Sequence, residues 1–317
     1  MTATHHPLLP PFTGRAGVGL NPHHQIMTLI EQQIVGKKSP ETCEDGIVVT
    51  NNHIAVIDGS TSKTSRRISP NISNGQFAAI QIQDVVSKMP ADITLEAFCQ
   101  LVTECMATAI MQSCDADKEM LSHHTGKDIS FLSSEQRPAA SAAIYSRYHQ
   151  QVWLIGDCQC MTDGVLFDND KPAEAVNAAK RSRFIQQLFR DRNENYTPES
   201  PLTQELQQHD IGRDYIIDDI INSMQGANRT YAVIDGTSIY IKGVKVIDVA
   251  NTQELVLATD GYPFLKSTLK DSEEALATLL HNDPLCINDY QATKGLMKGY
   301  HNFDDRTYIR ILLRSKE

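Results

Sequence analysis

Acidic residues recur in this 317-residue chain at the points where apolar runs begin or end. The chemistry they offer is the holding of a hard cation. Val56-Ile57-Asp58-Gly59 closes an apolar run that starts at His53. A strand that stops in this way presents a carboxylate at its tip. The glycine then lets the backbone turn closely, so that a carbonyl can approach whatever the carboxylate holds. The run from Leu255 repeats the pattern and ends in Asp260-Gly261, and Leu154-Ile155-Gly156-Asp157 is a third run ending in an acid. Glu44-Asp45-Gly46 opens a strand, and Asp304-Asp305 opens another. Asp-Gly after a strand is usually just a turn. Acids collected at several strand ends, however, make a nest of oxygen ligands suited to a hard divalent ion.

The elements that must position these acids follow from hydrophobic spacing. Residues 26–35 alternate weakly and read as a first strand. Residues 47–49 and 53–57 are β-rich runs flanking Asn51-Asn52, and asparagine tolerates the positive φ of a tight hairpin. Such a hairpin brings Glu44, Asp45 and Asp58 to one end of a sheet. Residues 76–88 and 94–113 carry apolar residues at helical spacing, with Pro90 and Asp92 marking the break between them. A second hairpin spans 139–148 and 151–155, followed by a turn and 165–167. Residues 172–195 form a helix whose basic face (Lys180, Arg181, Arg183, Arg190, Arg192) reads as solvated. The stretch 196–228 is polar with a further helix over 213–224. Residues 230–234, 238–242 and 244–249 are strand-like, 273–281 and 291–298 helical, and 307–313 the last strand. Hairpins, helices, antiparallel strands and helices in that order lack the βαβα alternation of a parallel sheet. They predict an α+β sandwich, with two sheets face to face and helices outside.

Composition narrows the partners. The chain is 41% apolar with a net charge of −10, enough for an ample core and adverse to a nucleic-acid or anionic-membrane partner. No apolar run approaches the ~20 residues of a membrane span. The first 25 residues, rich in Pro, Gly and His, lack the basic start and apolar core of a signal peptide and read as an N-terminal arm. Gly14, Gly17 and Gly19 make no phosphate loop, because neither a preceding strand nor a P-loop lysine accompanies them. Asp115-Ala116-Asp117 and Asp168-Asn169-Asp170 lack the glycine and glutamate of a calcium loop. The seven cysteines, odd in number and without a CxxC pair, imply reduced thiols in a cytoplasmic protein.

Seven short motifs, in order over residues 26–313, resemble the PPM family, the type 2C metal-dependent protein serine/threonine phosphatases. They are Cys43-Glu44-Asp45, Ala55 to Gly59, Ala139 to Ala142, Leu154 to Cys158, Asn169 to Pro172, Leu257 to Gly261 and Asp304 to Thr307. The resemblance implies a four-layer α/β/β/α sandwich in one domain over 26–317, with a helical insertion around 173–228. It implies two Mg²⁺ or Mn²⁺ ions. Asp58 would bridge them, with the Gly59 carbonyl and Glu44 on one, Asp260 and Asp304 on the other, and Asp45 acting through a water. Asp58 and Asp260 would be the residues on which catalysis depends. The implied substrate is a phosphorylated protein or a small phosphate ester. Two such ions activate a water and neutralise phosphate charge.

The chain departs from the family pattern at several points. No arginine stands shortly before Glu44, leaving Lys37, Lys38 and Lys63 as candidates for the substrate phosphate. Lysine is a point charge without the two-pronged fork of arginine. Ser60 stands where eukaryotic members place a histidine, Asp305 replaces an asparagine, and a third-metal aspartate expected before Ala139 is missing. These departures leave a second reading open, a phosphatase-fold regulatory or binding protein with little turnover.

Overall fold

In the strand His53–Gly59 nearly every residue is buried, because both of its faces are covered. Ile54 and Val56 face a second sheet, whereas Ala55 and Ile57 face helices. The same holds for Ala140–Ser146. This is why these segments read as continuous apolar runs rather than as alternating ones. The computed structural model describes residues 26–114, 128–169 and 171–314. The predicted arm over 1–25, Asp115-Ala116-Asp117 and Asp170 lie outside the described residues.

The strands are β1 (Ile26–Val35), β2 (Gly46–Val49), β3 (His53–Gly59), β4 (Ala140–Ser146), β5 (Gln151–Ile155), β6 (Gln159–Thr162), β7 (Val165–Phe167), β8 (Lys245–Asp248), β9 (Glu254–Ala258) and β10 (Arg306–Arg314). They form two five-stranded sheets, β1-β10-β9-β6-β7 and β2-β3-β4-β5-β8. Every pairing is antiparallel. The helices are α1 (Asn74–Lys88), α2 (Leu95–Cys114), α3 (Pro172–Asp191), α4 (Pro201–Gln208), α5 (Ile211–Tyr215), α6 (Ile217–Met224) and α7 (Leu269–Asn282).

Four layers follow from the packing. Val152 and Leu154 meet Leu255, Leu257, Ile309 and Ile311 between the sheets. Outside the second sheet, Phe77, Ile82, Phe98, Val102 and Met106 of α1 and α2 cover Ile144 and Trp153. Outside the first, Leu276 of α7 packs with Val256, Ala258 and Tyr308. The expected α+β, four-layer α/β/β/α sandwich is therefore the observed one. α1 starts at Asn74, two residues before the predicted start at 76, because Ser73 and Gln76 form a reciprocal capping box. A fourth apolar cluster joins Ile185 and Phe189 of α3 and Leu202 and Leu206 of α4 to Leu285 and Ile287.

Some local expectations need correction. The β2–β3 turn is not built on asparagines with positive φ. The Thr50 hydroxyl holds it, accepting from the His53 and Asn52 amides and donating to the His53 carbonyl. Residues 230–234 and 238–242 form no strands, only isolated bridges of Ala140 to Ile234 and of Ala227 to Tyr231. There the Asn228 side chain bonds Asp235, Thr237, Val233 and Tyr240 and folds the segment into turns. Residues 291–298 are not helical, because the Leu296 and Lys298 amides reach Pro284 and Gln207. β6 and α4 have no counterpart in the sequence reading.

Candidate metal and phosphate site

One end of the two sheets gathers the strand-tip acids. Gly46 of β2 pairs with Ile57 of β3, which sets Glu44 and Asp45 beside Asp58. On the other side, Asp58 pairs with Ser141 of β4, and the Ser141 hydroxyl donates to Asp157 just past β5. Gly156 turns the chain there with φ +80, and a Cβ on it would collide with Ser141. A side chain on Gly59 would run into the carbonyl oxygens of Glu44 and Gly75, so only glycine lets the tip of β3 seat against the start of α1. Asp260 follows β9, and Asp304 and Asp305 precede β10.

Asp58, Asp157 and Asp260 each offer a carboxylate oxygen, and these atoms lie within 4.8 Å of one another. All three line a cavity of about 390 Å³, as do Gly59 and Asp304. Burial pushes the Asp58 carboxyl up to about 7, with Asp157 and Asp304 adding repulsion. Burial raises Asp260 well above the carboxylate range, with Asp58 next in effect, and its Oδ1 is buried without a partner. Burial also opposes ionisation of Asp157, but the Lys171 ammonium, 2.6 Å away, and Ser141 hold it below its ordinary value. Three crowded carboxylates, one with an orphaned oxygen, fit a hard divalent cation, and they suit zinc less well because neither His nor Cys joins them.

The remaining acids sit around this centre. Asp45 is a buttress: its Oδ2 accepts from Thr259 at 2.9 Å and Thr307 at 2.8 Å, tying β9 to β10. Its other oxygen is buried without a partner. Burial, then Asp58, raises its carboxyl. Glu44 accepts from Ser73, Thr61 and Lys37. Burial opposes the charge on Asp304, yet Lys294 and Lys37 hold it far below the usual range.

The cations have sorted themselves differently from the sequence reading. Lys63 lines the cavity. Lys37 is enclosed among acids, and Lys38 lies 6.0 Å from the Tyr300 ring centroid. Lys171, Arg213 and Lys294 line the cavity too, and sequence reasoning had selected none of them. Lys171 had a signal, the Asn169-Asp170-Lys171-Pro172 motif. Asp157 also had one, as the third acid-tipped run. Arg213 and Lys294 had none, for they reach the cavity only through the folding of the insertion and of the 283–298 loop. The Arg213 guanidinium is held to Thr293 at 2.8 Å and 3.1 Å.

The chain is similar to serine/threonine phosphatases of known structure. PppA, a regulatory component of the type VI secretion system in Pseudomonas aeruginosa, is 14% identical over 93% of this chain and 98% of its own, with a TM-score of 0.39. A bacterial serine phosphatase is 10% identical over 93% and 99%, with a TM-score of 0.42. The Mycobacterium tuberculosis phosphatase PstP is 13% identical over 91% and 99%, with a TM-score of 0.39. No family model and no curated protein matches the chain. Among the described residues, no helix is long and apolar enough to cross a membrane.

Proposed function

We propose that this chain is a Mg²⁺- or Mn²⁺-dependent phosphomonoester hydrolase of the PPM type, acting on phosphoserine or phosphothreonine in proteins. The observation that carries the reading is one cavity lined by the Asp58, Asp157 and Asp260 carboxylates and by four cations, Lys63, Lys171, Arg213 and Lys294. Acids alone would repel a phosphate, and cations alone would repel a metal ion. Side by side they divide the work.

Asp58, Asp157 and Asp260 would hold the ion, with Asp304 and the Gly59 carbonyl on the cavity wall beside them. When bound there, a divalent ion lowers the barrier to attack by water and neutralises phosphate charge. Arg213 grips two phosphate oxygens with its planar fork, supplying from the insertion the arginine that does not stand shortly before Glu44. Lys171 and Lys294 fix the carboxylates and offset their charge. Lys63 is pushed down to about 7 by burial and by Arg213, Lys294 and Lys171. It is thus placed to give a proton to the leaving oxygen, the task for which Ser60 is unsuited. Residues 26–317 act as one catalytic domain with the 173–228 insertion beside the cavity, and the free thiols suit the cytoplasm.

The test is hydrolysis of an aryl phosphate and of a phosphoserine peptide by the full chain, with and without Mn²⁺. Metal-dependent turnover is expected, with Asp58→Asn and Asp157→Asn each lowering kcat by at least about 100-fold. The contacts that Lys37 and Lys294 make to Asp304 favour a second reading, a binding or regulatory module. Mn²⁺ binding without turnover on either substrate would establish that alternative.

A further inference from the structure

Lys37 lies in the loop between β1 and β2, and its Nζ is surrounded by oxygen. It stands 3.3 Å from Glu44 Oε2, 3.3 Å from Asp304 Oδ1, 3.1 Å from Asp305 Oδ2 and 3.0 Å from Thr61 Oγ1. The side chain is 16% exposed, against 2–10% for the three acids. Its backbone is fixed at both ends, since the Lys37 amide donates to Asp305 Oδ1 at 2.6 Å and the Lys37 carbonyl accepts from the His301 amide at 2.8 Å. The main chain is therefore held in place, and the ammonium itself is held by its four oxygen partners. The second Asp304 oxygen is held by Lys294.

An ammonium among three carboxylates does what a divalent ion would do there. It supplies positive charge to oxygens that cannot reach water. A Mg²⁺ or Mn²⁺ ion needs oxygens at about 2.0–2.2 Å. Oxygens held 3.0–3.3 Å from Nζ leave no room for an ion unless the lysine departs. Departure would strand three buried carboxylates without a counter-charge unless something replaced it.

We infer that Lys37 is a tethered counter-cation that takes the place of one of the two metal ions expected at this end of the sheets, so that the chain binds a single divalent ion at Asp58, Asp157 and Asp260. This inference rests on the metal-dependent reading above and sharpens it. Glu44 is then a partner of lysine rather than a metal ligand, and Asp304 a bridge between Lys37 and Lys294 at the edge of the ion's site.

The experiment is a count of Mn²⁺ bound to the metal-stripped full chain by calorimetry, joined to electron paramagnetic resonance of the loaded protein. Wild type should bind one ion per chain and give an uncoupled six-line spectrum. Lys37→Met empties the cage and should bind two ions with a spin-coupled spectrum, and Lys37→Arg should stay at one. Glu44→Gln should leave the wild-type count unchanged and abolish the second ion of Lys37→Met. Circular dichroism identifies any variant that fails to fold, and the wild-type count decides the matter without the variants. Two ions on wild type at similar affinity would overturn the inference and leave the phosphatase reading standing. No ion on wild type or on Lys37→Met would overturn both.

Discussion

At Lys63, burial and three neighbouring cations push the ammonium down to about 7, so near neutrality it can release its proton. Lys63→Arg keeps the charge and removes the acid, because a guanidinium does not give up its proton at this pH. We expect about a 100-fold loss of kcat on a phosphoserine peptide, whose alkoxide must be protonated as it leaves. An aryl phosphate leaves as a stable phenoxide and should lose far less. The sign of the pH effect follows. The acid form is present below about 7 and lost above it, so the Lys63-dependent part of kcat should fall as pH rises through 7, and the arginine variant should lack that limb. Equal losses on both substrates would reduce Lys63 to a simple point charge. At this scale the sequence was informative about acids and poor about cations. An acid at the end of an apolar run has its position dictated by the strand. Lys63, Lys171, Arg213 and Lys294 stand on loops and on the insertion, and only the finished fold brings them to one cavity.

At the scale of elements, α3 anchors α5 and the 283–298 loop through one buried cation. Arg181 is fully buried. It meets the Asp210 carboxylate with Nε and Nη2, the latter at 2.7 Å, and gives Nη1 to the Leu285 and Ala292 carbonyls. Asp210 in turn caps α5 through the Arg213 amide and accepts from Gly295. One guanidinium thus fixes two of the segments that carry cavity cations, with Arg213 on α5 and Lys294 on the loop. The basic face of α3 is solvated at Arg190 and Arg192, as its composition suggested, but Arg181 belongs to the apolar stripe. It shares the helix spacing of Ala178, Ser182, Ile185 and Phe189, all buried. Charge type masked that spacing in the sequence. Arg181→Met leaves Asp210 buried without its partner, at a cost of about 3–5 kcal/mol. The midpoint of thermal unfolding should drop by roughly 10 °C, and KM for a phosphopeptide should rise as Arg213 and Lys294 lose their anchor. Arg190→Met, on the exposed face, should shift the midpoint by about 1 °C or less. A similar small shift for Arg181→Met would remove the anchoring role.

Over the whole molecule, the layers were legible because a strand covered on both faces is apolar throughout, and β3, β4, β5 and β9 all read so. Turn-bound stretches such as 230–242 and 284–298 were not legible, since side chains outside them, Asn228 and Arg181 among them, decide where their backbone groups bond. The same architecture places like charges together at the sheet ends, and this has a thermodynamic signature. Without an ion, Asp58, Asp157 and Asp260 repel one another across less than 4.8 Å, and Asp260 Oδ1 is desolvated without a partner. A divalent ion that binds only the folded chain stabilises it by about 2.7 kcal/mol at 100 times its Kd, roughly 5–10 °C in unfolding midpoint. Asp260→Asn should therefore have opposite consequences in the two states. In chelator it removes a carboxyl whose ionisation burial and Asp58 oppose and should raise the midpoint, by about 1 kcal/mol or a few degrees. In saturating Mn²⁺ it removes a ligand and should leave most of the wild-type gain unrealised. Thermal scans of both proteins with EDTA and with Mn²⁺ measure all four midpoints. If Asp260→Asn melts lower in EDTA and still gains the full increment from Mn²⁺, Asp260 is a structural acid and the ion binds elsewhere.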